Sequence, residues 1–97
     1  LSNIHSTAVV SSKAEIESDV KIGPYSVVED NVVVRSGTEI GPHCVLHSYV
    51  KLGVNNQLHA QVVLGGVPQD ISFAGEETWV DIGDENIIRE NCTVHRS

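Results

Sequence analysis

Every sixth residue from Ile4 to Leu64 is a branched aliphatic: Ile4, Val10, Ile16, Ile22, Val28, Val34, Ile40, Leu46, Leu52, Leu58 and Leu64. A chain that is 40% hydrophobic overall does not hold such a phase by chance. A second track runs four residues behind the first: Ala8, Ala14, Val20, Ser26, Val32, Thr38, Cys44, Val50, Asn56 and Val62, mostly small or β-branched. A period of six is neither the 3.6 of a helix nor the simple alternation of a strand, and internal repetition decides architecture before any motif does.

Calling the aliphatic position slot one and the small position slot five, the unit suits a short strand followed by a bend. Residues two apart on a strand share a face, so alternation alone would not select slots one and five. If the chain bends once per unit, both slots fill the inside of a coil. Three flat faces then close one triangular coil, and coils stack through parallel strand pairing about 4.8 Å apart. Each interior aliphatic contributes roughly 1.5–3 kcal/mol when buried. A β-sandwich also buries alternating residues, but nothing in it would keep a six-residue phase for so long.

The expected corners carry glycine after the aliphatic, at Ile22-Gly23, Ile40-Gly41, Leu52-Gly53, Leu64-Gly65 and Ile82-Gly83. Glycine accepts backbone conformations that side chains forbid, and Asn31, Asn55, Asn56, Asn86 and Asn91 add residues that tolerate left-handed geometry. Pro24 and Pro42 follow two of the glycines at equivalent points of successive coils. No stretch carries an amphipathic helical face. The expected fold is therefore all-β, a parallel β-helix of about five coils forming a single domain over residues 1–97. The pattern resembles the hexapeptide-repeat proteins, which wind left-handed and commonly assemble as homotrimers. The hand comes from that resemblance, since parallel crossovers are otherwise right-handed.

Six basic and 13 acidic residues give a formal charge of −7, which argues against a nucleic-acid partner. No apolar run reaches the length of a membrane span, and no signal peptide is visible. Cys44 and Cys92 both fall at slot five and are read as buried thiols in a reducing compartment. Neither end of the repeat carries a capping segment, and an uncovered coil exposes strand edges. The chain is expected to be the N-terminal portion of a longer protein, or to depend on oligomerisation.

After Leu64 slot one falls on Asp70 and Glu76, and the phase resumes at Ile82, Ile88 and Val94. The interruption, about residues 67–78, contains Pro68, Gly75 and the acidic pair Glu76-Glu77. It is expected to leave the coil as a projecting loop, a favoured place for ligand contacts on a rigid scaffold. Beyond it Arg89 and Glu90 are adjacent charges, read as a structural ion pair. His95 and Arg96 follow an interior position and are expected to face outward, a titratable imidazole beside a fixed cation.

Pro68-Gln69-Asp70, Ala74-Gly75-Glu76 and the string from Ile82-Gly83-Asp84 to His95-Arg96 resemble the UDP-N-acetylglucosamine O-acyltransferases of lipid A synthesis. The likeness runs from about Ile4 to Arg96, as that family's N-terminal third. It implies a cytoplasmic, homotrimeric enzyme that needs no cofactor. The partners it implies are acyl carrier protein, which donates a 3-hydroxyacyl chain, and UDP-N-acetylglucosamine, whose glucosamine 3-hydroxyl accepts it. By position, Gln69, Asp70 and His95 are the implied substrate-binding residues. Asp70 can accept hydrogen bonds from sugar hydroxyls, and Gln69 can donate and accept. Ser72 stands where a lysine suited to a phosphate is often found. The general-base histidine is expected beyond Ser97, so no catalytic residue is assigned within the chain. Two alternatives stand beside this reading: a truncated β-helix that only self-associates, and a metal-dependent hexapeptide protein of the carbonic anhydrase type. For the latter, His5, His47 and His59 share slot two and His43 sits at slot four. His5 and His59 would lie about 14 Å apart by strand spacing, too far to share an ion within one chain, so no metal ligand is assigned.

Overall fold

The computed structural model describes residues 2–65, 79–90 and 92–94. Within them fourteen strands of two or three residues each occupy slots six and one of the hexapeptide, and every pairing between them is parallel. They sort by order along the chain into three sheets. Face A stacks Asn3–Ile4, Lys21–Ile22, Glu39–Ile40, Gln57–Leu58 and Ile87–Ile88. Face B stacks Val9–Val10, Val27–Val28, Val45–Leu46, Val63–Leu64 and Thr93–Val94. Face C stacks Glu15–Ile16, Val33–Val34, Val50–Leu52 and Val80–Ile82. One strand per face per coil gives nearly five coils, as the register implied.

Slots one and five share the interior. Ile22, Val28, Val34, Ile40, Leu46, Leu52, Leu58 and Leu64 are all at most 3% exposed, with Val20, Val32, Val50 and Val62 at 0% between them. Burial falls off toward the two ends of the described stack, where Ile4, Val10 and Ile16 on one side and Ile82 and Ile88 on the other are only partly covered or exposed. Cys44 is fully buried, Cys92 partly so, and both are free thiols. Burial pushes the Cys44 thiol above its ordinary range. It stays a small apolar filler whose Sγ donates to the His59 carbonyl at 3.0 Å.

The corners differ from the sequence expectation. Left-handed backbone falls mainly at slot four, where Asp19, Tyr25, Asn31, Gly37, His43, Tyr49, Asn55, Gln61 and Glu85 all have positive φ; of the slot-two glycines only Gly65 shares it among the described residues. Asn31 and Asn55 are thus where a left-handed residue was expected, whereas Asn56 and Asn86 are not. Gly23 and Gly41 serve a different end, close stacking. A Cβ on Gly23 would stand 2.8 Å from the backbone of Gly41, and one on Gly41 would stand 2.8 Å from the Leu58 carbonyl oxygen.

Polar residues in slot five exploit that close approach. Ser26 Oγ donates to the Gly41 carbonyl at 2.7 Å and accepts from the Cys44 amide at 3.0 Å. Thr38 repeats the arrangement with Gly53 and the Asn56 amide, at 2.7 and 3.2 Å. Asn56, fully buried, does the same with a longer side chain: Nδ2 donates to the Gly83 carbonyl at 2.7 Å and Oδ1 accepts from the Asn86 amide at 2.8 Å. Each buried polar group is therefore satisfied, as a solenoid interior requires.

Candidate functional site

The corner between faces B and C is a column of residue triplets, 11–13, 29–31 and 47–49, that link a face B strand to the next face C strand. In the following coil the same turn begins at Gly65 and ends at Trp79. Partners on successive coils are 18 residues apart below this point, as in Val27↔Val45, and 30 apart across it, as in Val63↔Thr93. Twelve residues are thus added at one corner, two whole hexapeptides in length, which is why the aliphatic phase resumes undisturbed.

Both stems of the added segment sit on the stretch His47–Lys51. At the exit, Gly65 has φ +87°, and a Cβ there would lie 2.7 Å from Val50 Cγ2 and 3.3 Å from His47 Cβ. Only glycine meets both demands, a left-handed turn and a close approach to the coil below. At the return, the Trp79 ring meets Tyr49 edge-on, with centroids 5.3 Å apart and planes at 83°. Lys51 Nζ lies 5.5 Å from the Trp79 ring centroid, and the Val80 amide donates to the Tyr49 carbonyl at 2.9 Å. Trp79 belongs to none of the motifs that mark the sequence. Its slot-four position, in phase with Tyr49 once twelve residues are discounted, is the signal that would have found it.

Below the exit the corner is polar. Glu29 Oε1 accepts from the Ser48 amide at 3.1 Å and faces His47 Nδ1 at 3.2 Å, which holds the imidazole beneath Gly65. One coil lower, Ser11 Oγ donates to the Asp30 carboxylate and accepts from the Lys13 amide. Ser11, Glu29, Asp30 and Ser48 rim a shallow pocket of about 350 Å³ that Val9 and Val27 also line. These two belong to a stripe of outward valines on face B, namely Val9, Val27, Val45 and Val63, one per coil. Val9 is 63% exposed and the other three are partly so.

The three sequence-assigned substrate residues fall outside the described residues. Gln69 and Asp70 belong to the loop expected over 67–78, between Gly65 and Trp79, and His95 follows Val94. What is described stops short of them: Leu64 and Val94 are register partners on adjacent strands.

The remaining histidines are dispersed. His5 Nδ1 meets Thr7 Oγ1 at 2.9 Å, His43 stacks on Tyr25 at 5.3 Å, and His59 Nδ1 faces Glu90 Oε2 at 3.3 Å. Among the described residues no group of three or more His, Cys, Asp or Glu is placed to hold a metal ion. Glu90 thus finds its side-chain partner in His59 of the coil below, where the sequence suggested a pair with neighbouring Arg89. A backbone hydrogen bond, then His59, and more weakly the Arg89 charge hold its carboxyl below the ordinary range. The described residues include no helix long and apolar enough to cross a membrane.

Comparison with known proteins agrees with the geometry. Residues 19–54 match the family described as bacterial transferase hexapeptide (six repeats). The acyl-[acyl-carrier-protein]–UDP-N-acetylglucosamine O-acyltransferase of Psychrobacter sp. (strain PRwf-1) is 45% identical over 96 residues, 99% of this chain and 37% of that relative. The enzyme of the same name from Xanthomonas oryzae pv. oryzae (strain PXO99A) is 50% identical over 93 residues, 96% of this chain and 35% of its own length. Among solved structures, the UDP-N-acetylglucosamine O-acyltransferase of Moraxella catarrhalis RH4 superposes with a TM-score of 0.90 at 39% identity, covering 97% of this chain and 37% of that one. The fold and its corner insertion define a left-handed parallel β-helix of the hexapeptide-repeat transferase class. Within that class the chain belongs with the UDP-N-acetylglucosamine O-acyltransferases and matches their N-terminal part over its whole length. It spans little more than a third of the length of the curated relatives it matches.

Proposed function

We propose that the complete polypeptide carrying this chain transfers a 3-hydroxyacyl group from acyl carrier protein to the glucosamine 3-hydroxyl of UDP-N-acetylglucosamine, opening lipid A synthesis in the cytoplasm. The observation that carries the reading is the twelve-residue insertion at the face B–face C corner. It interrupts an otherwise unbroken coil in the stretch that bears Gln69 and Asp70, and its exit strand pairs with the strand leading to His95. Asp70 accepts hydrogen bonds from the sugar, Gln69 donates and accepts at the same ring, and His95 supports the site from the coil above. A histidine beyond Ser97 takes the proton of the 3-hydroxyl. The oxygen attacks the thioester carbonyl, the C–S bond breaks, and the carrier thiol leaves with a proton. The valine stripe on face B supports homotrimer assembly, because burying it against another copy removes apolar surface from water.

Incubating the complete polypeptide with 3-hydroxyacyl carrier protein and UDP-N-acetylglucosamine is expected to give the O-acylated nucleotide sugar by mass spectrometry. Absence of that product removes the activity. The stripe also favours a second reading for the 97-residue chain itself, self-association without catalysis. Turnover by the isolated chain contradicts that reading, and a monomer in sedimentation equilibrium contradicts the self-association.

A further inference from the structure

We propose that Trp79 and Asp84 key the register in which the chain re-pairs after the twelve added residues, a choice that the aliphatic ladder leaves open. The described strands are two or three residues long and carry little register of their own. Any slip other than a multiple of six would turn the aliphatics out of the core. A backward slip by six is excluded too, because Glu76 would take the inward place of Ile82. A forward slip by six meets no such barrier. Ile88 would then lie over Leu52 and Val94 over Leu58, an aliphatic for an aliphatic each time. Loop-closure entropy rises only logarithmically with length, so six more residues in the connection penalise that slip little. In slot five Asn86 would replace Val80 over Val50, yet slot five already buries an asparagine at Asn56. Asn56 does not choose either, since it bonds the backbone carbonyl of Gly83 and the backbone amide of Asn86, groups that any residue offers.

The two registers differ on the outside of the coil. In the observed one the Trp79 ring meets Tyr49 edge-on, and Lys51 Nζ lies 5.5 Å from its centroid. The forward slip would put Glu85 over Tyr49, and Ile87 instead of Asp81 opposite Lys51. At the next corner Asp84 Oδ1 accepts from the Val54 amide at 2.9 Å, and it fills the space over Gly53 where a Cβ would collide with it. Glycine below and carboxylate above are fitted to each other. Glu90 would arrive there in the slip, one methylene longer and parted from His59. The consequence is positional: the slip would carry Thr93–Val94 from face B, beside Val63–Leu64, to face A, beside Gln57–Leu58.

The test is disulfide trapping in the complete polypeptide, with Cys92→Ala removing a nearby thiol. Register partners on parallel strands, about 4.8 Å apart, fall within the Cα range of a disulfide. Gln57→Cys with Ile87→Cys reports the observed pairing. Gln57→Cys with Thr93→Cys reports the slip, since those positions otherwise stand on different faces. With Trp79 and Asp84 intact, oxidation and peptide mass spectrometry should find only the bridge between positions 57 and 87. With Trp79→Ala and Asp84→Ala together, the bridge between 57 and 93 should appear. Asp84→Asn, which keeps an acceptor for the Val54 amide, should restore the first pattern when Trp79 is present. A double variant that still forms only the first bridge overturns the proposal, as does a wild type that forms both. Loss of both bridges overturns it as well, because the two residues would then hold the coil together without choosing its register.

Discussion

Replacing Gly41 by alanine tests the stacking geometry where backbone meets backbone across two coils. On an unstrained surface, Gly→Ala stabilises by about 0.4–1 kcal/mol, because the unfolded chain loses freedom. Gly41 has no positive φ to forbid the change, so a reading based on backbone conformation alone predicts that gain. The packing predicts the opposite. The new methyl would stand 2.8 Å from the Leu58 carbonyl oxygen and 3.0 Å from the His59 carbonyl carbon, both backbone atoms of the next coil. Those atoms cannot step aside singly. Leu58 is paired to Ile40 and Ile88 on either side, and the Gly41 carbonyl holds Ser26 Oγ from below. Overpacking of this kind costs about 1–3 kcal/mol, so the net change is a loss of about 1–2 kcal/mol. For a domain of this size each kcal/mol moves the midpoint by about 4–8 °C, so a drop of about 5–15 °C is expected by circular dichroism. Gly37→Asn is the contrast: slot four accepts asparagine at Asn31 and Asn55 with φ near +60°, and the new Cβ would meet the end of the Asn55 side chain, which can turn aside as a backbone carbonyl cannot; it should shift the midpoint less. Equal midpoints for wild type and Gly41→Ala, or a gain, would refute the close coil contact.

Other outcomes follow from the same geometry. Ile40→Asp places a carboxylate among Ile22, Leu58 and the rest of the core and should cost several kcal/mol, whereas Glu39→Lys, one residue earlier and exposed, should change stability by less than about 1 kcal/mol; chemical denaturation separates them. Asn56→Ala orphans the Gly83 carbonyl and the Asn86 amide and should cost about 1–3 kcal/mol by urea denaturation, where a surface asparagine would cost almost nothing. Glu90 has its pKa lowered in the folded state, so its contribution is present above the ordinary glutamate pKa and is lost as pH falls through the folded value. The melting-point difference between wild type and Glu90→Gln should accordingly be visible at pH 5.5 and vanish on acidification, and a difference that grows toward acid would reverse the assignment.

The aliphatic ladder was legible because volume and shape are written directly into residue type: a slot that must fill a triangular core admits Ile, Leu and Val and little else. The corners were less so. Their left-handed position is occupied by Asp19, Tyr25, His43, Tyr49 and Gln61, which share no side-chain chemistry, because the coil constrains the backbone there and leaves the side chain outside. Gly23 and Gly41, which looked like turn formers, respond instead to backbone about one coil further along the chain, a non-local demand that spacing alone does not reveal. Asn56 looked like a turn residue too, yet its amide is a buried tie across the insertion. At the candidate site the place of the interruption could be read from the lost phase. Its anchoring on His47–Lys51 could not, because Trp79 meets Tyr49 only after the coil has closed around the added residues.

The sharpest test of the functional account is kcat/KM for the complete polypeptide with Asp70→Ala. If the corner insertion binds the acceptor sugar, removing a charged hydrogen-bond acceptor worth about 1.5–3 kcal/mol should lower kcat/KM for UDP-N-acetylglucosamine by at least about tenfold, with the melting midpoint unchanged. A variant that matches the wild type in both would contradict the assignment of function to this corner.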